Sequence, residues 1–296
     1  MATDLRQLFR AGPILTDGAW GTELQKMGLA PGEFGDLWNL SQPQKVAGVA
    51  RSYVEAGSQI VLTNTFRANR VAMSGEGFSG KIRQLNRAGV EISRDAAAGN
   101  ALVFASMGPS GKMLMAEEVS EQELQQAFQE QAEALAEAGP DALLIETMSD
   151  LMEACIALRA AKSTGLPVVV SMVFDSGKEH DRTLAGVTPE RAARELTSEG
   201  ADVIGANCGK GIDGFAGICR RLHSATDRPI WIKPNAGLPR VSGDRIVYDM
   251  TPEAFASHAP ALMDAGALFL GGCCGTNPDF IRALSRSLPA RSLKAV

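Results

Sequence analysis

The chain has 296 residues, of which 45% are hydrophobic and 21% are charged, and its net charge is -5. This acidic balance argues against nucleic acid as a partner, because phosphate binding needs a concentrated basic face. No apolar run approaches the roughly 18 residues of a membrane span, and the stretch from Met1 to Arg10 lacks the apolar segment of a signal peptide. The composition therefore predicts a cytoplasmic protein without nucleic-acid or membrane partners.

Short apolar runs, each followed by a longer segment with helical patterning, repeat along the whole sequence. The eight predicted strands cover residues 13–18, 59–65, 101–107, 141–147, 167–174, 202–207, 229–233 and 267–271. Helices are predicted between them, for example over 42–56, 81–98 and 121–138. Near-continuous apolar strands that are separated by single helices are typical of a parallel sheet.

Glycine, proline and threonine mark the ends of the predicted helices. Stop signals lie at Gly57, Gly139-Pro140, Gly165 and Gly200, and start signals at Thr188-Pro189 and Thr251-Pro252. The helix that begins at Thr251-Pro252 is predicted to continue to Gly266. Eight strand–helix units predict closure into a (β/α)8 TIM barrel, which takes about 250 residues. We therefore expect residues 1–296 to form a single barrel domain.

Polar, cysteine and glycine residues gather at the ends of the predicted strands. In a (β/α)8 barrel, catalytic residues lie at the C-terminal ends of the strands. Those ends in this chain are Asp17-Gly18, 64–66, 108–110, Glu146-Thr147, Asn207-Cys208, Pro234-Asn235 and 272–274. We therefore expect the functional site at this rim.

Three of the five cysteines lie at these strand ends, Cys208 after the sixth strand and Cys273 and Cys274 after the eighth. An odd number of cysteines with an adjacent pair does not resemble a disulfide framework. In a barrel one strand separates the sixth strand from the eighth. Because neighbouring strands lie about 4.8 Å apart, the tips of these two strands are about 10 Å apart. Thiolates that lean inward from there can share a zinc ion at about 2.3 Å. The glycines around Cys273 and Cys274 give both cysteines the freedom to face the metal.

A zinc site with three sulfur ligands has chemical consequences. One tetrahedral position stays open, as is typical of catalytic zinc. A thiol substrate in that position is held as a thiolate, although a free thiol has a pKa near ~8.5. The alternative is that the cysteines are small buried hydrophobic residues. We expect that role for Cys155 and Cys219, which lie within helical patterns.

Six motifs span the chain from Leu15 to about Leu284: LTDGAWGTELQ (15–25), TNTF (63–66), IETMSD (145–150), GANCG (205–209), KPNAGLP (233–239) and GGCCGT (271–276). Together they resemble the homocysteine S-methyltransferase family, which includes betaine–homocysteine methyltransferases and the homocysteine-binding module of cobalamin-dependent methionine synthase. The resemblance implies methyl transfer to homocysteine to form methionine. It also implies that Cys208, Cys273 and Cys274 bind zinc.

The resemblance implies roles for two acids as well. Asp17 and Glu146 match positions that bind the amino group of homocysteine, and an ammonium group needs carboxylate partners. Alternatively, Asp17 supports a tight Asp-Gly turn. Asn207 and Asn235 are expected either to orient ligands or to bond the backbone.

The methyl donor is less well defined by the sequence. Trp38 matches a tryptophan that contacts the quaternary ammonium of betaine through a cation–π interaction. The two tyrosines of that cage are replaced by Arg67 and Thr147, which disfavours the animal-type betaine site but not other onium donors. Arg67 is expected either to face the donor or to pair with a surface carboxylate. His180 is a candidate donor-side contact.

Three hypotheses follow. The leading one is a zinc-dependent methyltransferase that uses a betaine-type or sulfonium donor. The alternative is the homocysteine-binding component of a multi-protein, corrinoid-dependent system, inactive alone, with a corrinoid protein or a second copy of the chain as partner. The third is a barrel with a structural zinc, which needs a fourth protein ligand that the predicted rim does not offer.

Overall fold

The computed structural model describes residues 12–74, 78–242 and 245–288. The stretch from Met1 to Arg10, for which the sequence predicts no signal peptide, lies outside the described residues, so that prediction is not tested. The strands are β1 (Ile14–Leu15), β2 (Ile60–Leu62), β3 (Leu102–Met107), β4 (Ala142–Met148), β5 (Val168–Met172), β6 (Val203–Cys208), β7 (Ile230–Pro234), β8 (Arg240–Ser242), β9 (Arg245–Val247) and β10 (Ala267–Leu270).

Eight of these strands form one parallel sheet in the order β1-β10-β7-β6-β5-β4-β3-β2, and β8 and β9 form a separate antiparallel hairpin. The sheet closes where β1 meets β2. There the Gln59 backbone N–H donates to Leu15 O at 2.8 Å, and the Leu62 N–H donates to the Asp17 carboxylate at 2.8 Å. The predicted (β/α)8 barrel is therefore confirmed, and a carboxylate side chain helps to close its seam.

The helices lie between the strands, as predicted. Their bounds are Gly21–Lys26, Trp38–Ser41, Pro43–Glu55, Ile82–Ala97, Glu121–Glu137, Leu151–Lys162, Pro189–Ser198, Phe215–His223, Pro252–Ala256, Ala259–Asp264 and Pro278–Ser287. Short 3-10 turns cover Gly35–Leu37, Ser79–Lys81, Leu114–Ala116 and Ile212–Gly214. The predicted start signals act as N-caps, because Thr188 Oγ1 accepts from Arg191 N and Thr251 Oγ1 accepts from Ala254 N.

Two features differ from the expectation. The single helix predicted from Thr251-Pro252 to Gly266 is wrong, because two helices separated at Ser257-His258 occupy this region. Pro260 lies in the first turn of the second helix, where its missing N–H is tolerated, whereas it breaks the hydrogen-bond ladder of a continuous helix. The β8–β9 hairpin, inserted after β7, was not predicted.

The barrel interior has two layers. The lower layer is apolar and contains an aromatic plug, in which Trp231 lies 5.9 Å from Phe104 and 5.3 Å from Phe269 between ring centroids. Side chains two residues apart on a strand share a face. The same strands therefore carry a second set of buried residues further toward their C-terminal ends, above the plug. We call this set, together with Asp17, the polar layer: Asp17, Ser106, Glu146, Ser171, Asn207 and Lys233.

Candidate functional site

The structure brings the three predicted cysteines together above the polar layer. Cys208 is the last residue of β6, whereas Cys273 and Cys274 follow β10. The Cys208 and Cys273 Sγ atoms are 3.1 Å apart, and all three sulfur atoms lie within 4.8 Å of one another. Each cysteine is partly exposed. The cluster is therefore compact and open to a small molecule.

The backbone is shaped to aim these thiols. Cys208 has a positive φ of 61°, a conformation that disfavours a non-glycine residue by about 1–3 kcal/mol. The end of β7 holds both cysteine segments, because Asn235 N donates to Cys208 O at 3.1 Å and Cys273 N donates to Pro234 O at 2.8 Å. The strain at Cys208 is therefore stabilised by β7 and points to a functional constraint.

Two glycines beside the cysteine pair are required by geometry. A Cβ atom at Gly271 would overlap Thr16 Oγ1, because this backbone passes close to the end of β1. Gly275 has a φ of 82°, and a Cβ there would overlap the ring of Tyr248. Glycine is therefore required at these two positions for different reasons: the close approach of another segment at Gly271 and the left-handed backbone at Gly275.

The thiols have strongly perturbed acidity. Hydrogen bonds from the Cys208 and Cys273 thiols lower the pKa of Cys274 to about 3. The hydrogen bonds that Cys208 makes to Cys273 and Cys274 raise the pKa of Cys208 well above its usual value. The acidity of Cys274 is thus increased by its two neighbours, and the pKa of each neighbour is raised. Three clustered sulfur atoms are a donor set that could hold a divalent thiophilic cation in place of thiol protons.

A zinc ion fits these residues. Tetrahedral geometry with Zn–S bonds near 2.3 Å places the sulfur atoms about 3.8 Å apart, and here the Cys208 and Cys273 sulfurs are 3.1 Å apart while all three lie within 4.8 Å of one another. Asn235 adds a second observation. Its Nδ2 donates to Gly209 O at 2.7 Å, while its buried Oδ1 has no hydrogen-bond partner among the residues that the structure describes. A buried oxygen without a partner is unfavourable unless a ligand satisfies it.

Glu146 lies in the polar layer at an irregularity of β4. The register with β5 shifts between Ile145 and Met148, and Thr147 has a φ of 64°. Such a bulge redirects a side chain. Ser106 Oγ donates to Glu146 Oε1 at 2.5 Å, and burial raises the pKa of Glu146 to about 7 although the Lys233 ammonium opposes this rise.

Asn207 holds this bulge in place. Its Oδ1 accepts from Thr147 N at 2.9 Å and from Ser171 Oγ at 2.7 Å, and its Nδ2 donates to Thr147 Oγ1 at 2.7 Å. The same Nδ2 lies 3.8 Å from the Cys273 sulfur. Asn207 thus connects the bulge to the cysteine cluster. A direct contact with substrate stays a prediction, because Asn207 is fully buried.

Asp17 is fully buried and its carboxylate has several partners. Oδ2 accepts from the Trp20 indole at 2.7 Å and from Leu62 N at 2.8 Å, and Oδ1 accepts from the Lys233 ammonium. A carboxylate offers about four acceptor positions, so one position stays available. The predicted contact between Asp17 and a substrate ammonium therefore stays a prediction, and the role in barrel closure is additional.

Sequence reasoning missed two residues of this site. Lys233 ends the predicted seventh strand and is only 2% exposed. The signal was present, since a lysine two residues after Trp231 in a buried strand must share its inward face. Tyr248, after the hairpin, packs on Gly275, and burial together with the nearby Cys274 sulfur raises its pKa to about 12. No sequence spacing connects Tyr248 with Gly275.

The predicted donor-side residues Trp38 and Arg67 have contacts of their own. The Lys45 ammonium lies 4.5 Å from the centroid of the Trp38 ring, so a cation already covers that indole. The Arg67 guanidinium lies 3.9 Å from the Phe34 ring centroid, and Arg67 N donates to Asp36 Oδ1 at 2.9 Å. The donor role of Trp38 stays a prediction.

The remaining candidates are peripheral. His180 is exposed and its Nε2 lies 3.0 Å from Lys210 Nζ. Cys155 and Cys219 are buried in helices Leu151–Lys162 and Phe215–His223, as expected for small hydrophobic residues. In the described parts of the chain, no helix is long and apolar enough to cross a membrane.

Comparison with known proteins agrees with this site. The family model for homocysteine S-methyltransferase matches residues 14–288. Methionine synthases of Mycobacterium leprae and Mycobacterium tuberculosis are 30% and 29% identical over 97% of this chain, which spans 25% of their length.

The fold comparison points the same way. The metallated form of the Escherichia coli homocysteine methyltransferase MmuM superposes with a TM-score of 0.78 at 24% identity, covering 95% of this chain and 99% of that one. Its oxidized form gives a TM-score of 0.79 over 95% of this chain and 98% of that one. At this identity the likeness shows the fold, whereas the family model covers nearly the whole described sequence. The chain belongs to the homocysteine S-methyltransferase family.

Proposed function

We propose that this chain is a zinc-dependent homocysteine S-methyltransferase, formed by one barrel domain over residues 1–296 and located in the cytoplasm. It transfers a methyl group from a small onium donor, of the betaine or sulfonium type, to homocysteine and forms methionine. The observation that carries the proposal is the cluster of Cys208, Cys273 and Cys274, with sulfurs within 4.8 Å, directly above the buried carboxylates of the barrel.

The transfer is chemically balanced without a protein base. The homocysteine sulfur forms a bond to the methyl carbon while the bond from that carbon to the donor's nitrogen or sulfur breaks. The donor leaves as a neutral amine or thioether group, and the thiol proton passes to solvent. Bound zinc supplies the thiolate form of the acceptor at neutral pH.

The acceptor's amino group is assigned to the polar layer. Glu146 provides a carboxylate that Ser106 orients, and Asp17 provides the remaining acceptor position of a carboxylate that Lys233 already neutralises. Asn207 fixes the bulge that aims Glu146, and Asn235 supplies an unpartnered oxygen at the cluster. These residues hold the acceptor so that its sulfur lies at the cysteines.

The donor is assigned to the rim above the cluster. Trp38 contributes an aromatic face once Lys45 moves away, and Tyr248 lies beside the cysteines on Gly275. An aromatic face attracts an onium cation. The rim residues that contact the bound donor determine whether a betaine-type or a sulfonium donor is used.

A second candidate is the homocysteine-binding component of a corrinoid-dependent system. The observation that favours it is the alignment with methionine synthases, of which the chain spans a quarter. In that case a separate corrinoid protein delivers the methyl group, and the purified chain alone does not turn over small onium donors.

One experiment separates the two candidates. Zinc-loaded protein is incubated with homocysteine and one of five donors: betaine, S-methylmethionine, S-adenosylmethionine, dimethylsulfoniopropionate or methylcobalamin. Methionine from an onium donor supports the main proposal. Methionine from methylcobalamin alone favours the second candidate, and no methionine from any of the five contradicts the main proposal.

A further inference from the structure

Lys233 is a cation inside the barrel, between the aromatic plug and the cysteine cluster. Its side chain is 2% exposed, and its ammonium donates to Asp17 Oδ1. Its Nζ also lies 5.8 Å from the centroid of the Trp231 ring. A buried ammonium is strongly unfavourable unless it is paired. Lys233 and Asp17 therefore form one buried ion pair within the site.

The charges in the polar layer do not balance without a ligand. Asp17 and Glu146 are acidic, whereas Lys233 is the one basic residue in this layer. Lys233 compensates Asp17, and the hydroxyl of Ser106 is a neutral donor to Glu146. Above the raised pKa of Glu146, which lies at about 7, one surplus negative charge therefore stays at this carboxylate. An α-ammonium group compensates that charge, because buried charges require a partner.

We propose that Lys233 determines acceptor specificity by limiting the negative charge of the polar layer, so that the site selects an amino-acid thiol over a simple aminothiol. With Lys233 present, one surplus charge attracts the ammonium without repelling the neighbouring substrate carboxylate. Without it, two uncompensated carboxylates attract any aminothiol and repel the substrate carboxylate. The inference deepens the proposed function, and it rests on that function for the use of a thiol acceptor.

The test compares three thiols with the same carbon spacing that differ in which charged groups they carry. Homocysteine carries an ammonium and a carboxylate, 3-mercaptopropylamine only the ammonium, and 4-mercaptobutanoate only the carboxylate. Dissociation constants are measured by calorimetry on zinc-loaded protein, so that binding is observed without methyl transfer. The specificity ratio is the affinity for homocysteine divided by the affinity for 3-mercaptopropylamine.

In Lys233→Met, the specificity ratio is expected to fall at least about tenfold, because two uncompensated carboxylates then repel the carboxylate of homocysteine at an effective dielectric constant near ~20, whereas 3-mercaptopropylamine has no carboxylate. Affinity for 4-mercaptobutanoate falls as well. Lys162→Met is the matched control, since this lysine pairs with Asp202 on the outside of the barrel. Its ratio stays within about twofold of the native value. Equal weakening of all three thiols in Lys233→Met would show a merely structural role and overturn the inference.

Two further variants keep the test decisive. Asp17→Asn removes a negative charge and is expected to shift the specificity ratio in the opposite direction. Asp17→Asn combined with Lys233→Met restores the native charge balance, so its ratio returns to within about threefold of the native value. If Lys233→Met does not fold, the opposite shift in Asp17→Asn decides the matter, and no shift contradicts the inference. Methionine formation, assayed in parallel, tests the proposed function separately from these affinities.

Discussion

In the lower part of the barrel, Trp231 packs against Phe104 and Phe269, whereas Ser106 and Lys233 of the polar layer lie two residues beyond Phe104 and Trp231 on the same strands. Both layers are buried, and both follow from the two-residue period of a strand. The lower layer makes apolar contacts, and the upper layer makes hydrogen bonds and ion pairs. The same strands carry both layers, so residues that stabilise the fold and residues that form the site are two positions apart on each strand.

The largest expected effect is on methionine formation, when a cysteine of the cluster above the polar layer is replaced. In Cys208→Ala, Cys273→Ala and Cys274→Ala, we expect zinc binding to be lost and methionine formation to fall by about a thousandfold or more, since the transition state loses at least ~4 kcal/mol of stabilisation. The thermal unfolding midpoint of the metal-free proteins changes little, because the cysteines are partly exposed. Metal analysis, turnover and calorimetry check this. Cys219→Ala is the matched control and retains zinc. Native turnover in any zinc-free cluster variant would contradict the prediction.

The lower layer is expected to respond in stability. Phe104→Ala removes a fully buried ring, and this lowers the free energy of unfolding by about 3–5 kcal/mol. Denaturant unfolding measures the change, with Leu184→Ala as control, because Leu184 is 68% exposed and its loss changes stability by less than ~0.5 kcal/mol. Homocysteine affinity of the folded Phe104→Ala protein stays close to native. A large loss of affinity without a loss of stability would remove the distinction between the layers.

A substitution in the polar layer should lower homocysteine affinity and leave the free energy of unfolding nearly unchanged. Glu146→Gln keeps the shape of the side chain but removes the charge that faces the ammonium. A hydrogen bond to a charged group contributes about 1.5–3 kcal/mol, so homocysteine affinity falls by roughly tenfold to a hundredfold. The unfolding free energy stays near native. Calorimetry with homocysteine and with 4-mercaptobutanoate checks this, since the thiol without an amino group should not distinguish Glu146→Gln from the native protein.

The smallest effect is a pH dependence. The pKa of Glu146 is raised to about 7, chiefly by burial. Below that pH the carboxyl is protonated and neutral, so it attracts the ammonium only as pH rises through about 7. Homocysteine affinity should therefore increase up to about tenfold between pH 6 and pH 8 through this group. The thiol proton adds a second dependence that Glu146→Gln shares. The difference between the two profiles is the readout, and identical profiles would contradict the assignment.

Much of the fold could be predicted from the sequence, because strand and helix periods and their stop signals are local. The strand β4 was predicted over 141–147 and is observed at Ala142–Met148. The cysteine cluster could also be predicted, since strand order and barrel closure bring the ends of β6 and β10 near each other. The proline in the second half of the predicted 251–266 helix was overlooked, although it is a local signal.

The polar layer could be predicted only in part. Asn207 and Thr147 are 60 residues apart in sequence, and their two hydrogen bonds depend on a bulge that no local pattern shows. The sequence predicts Lys233 only as the end of a strand, because the sequence alone does not show that Asp17 lies opposite and pairs with it. Long-range pairing of buried charges therefore had to come from the structure.

The proposed activity requires a metal held by Cys208, Cys273 and Cys274. The most direct test is metal analysis of reduced protein before and after a strong chelator, with methionine formation followed on the same samples. We predict one zinc per chain, loss of turnover when the zinc is removed, and recovery when zinc is returned. Full turnover by chelated, zinc-free protein would contradict the central claim.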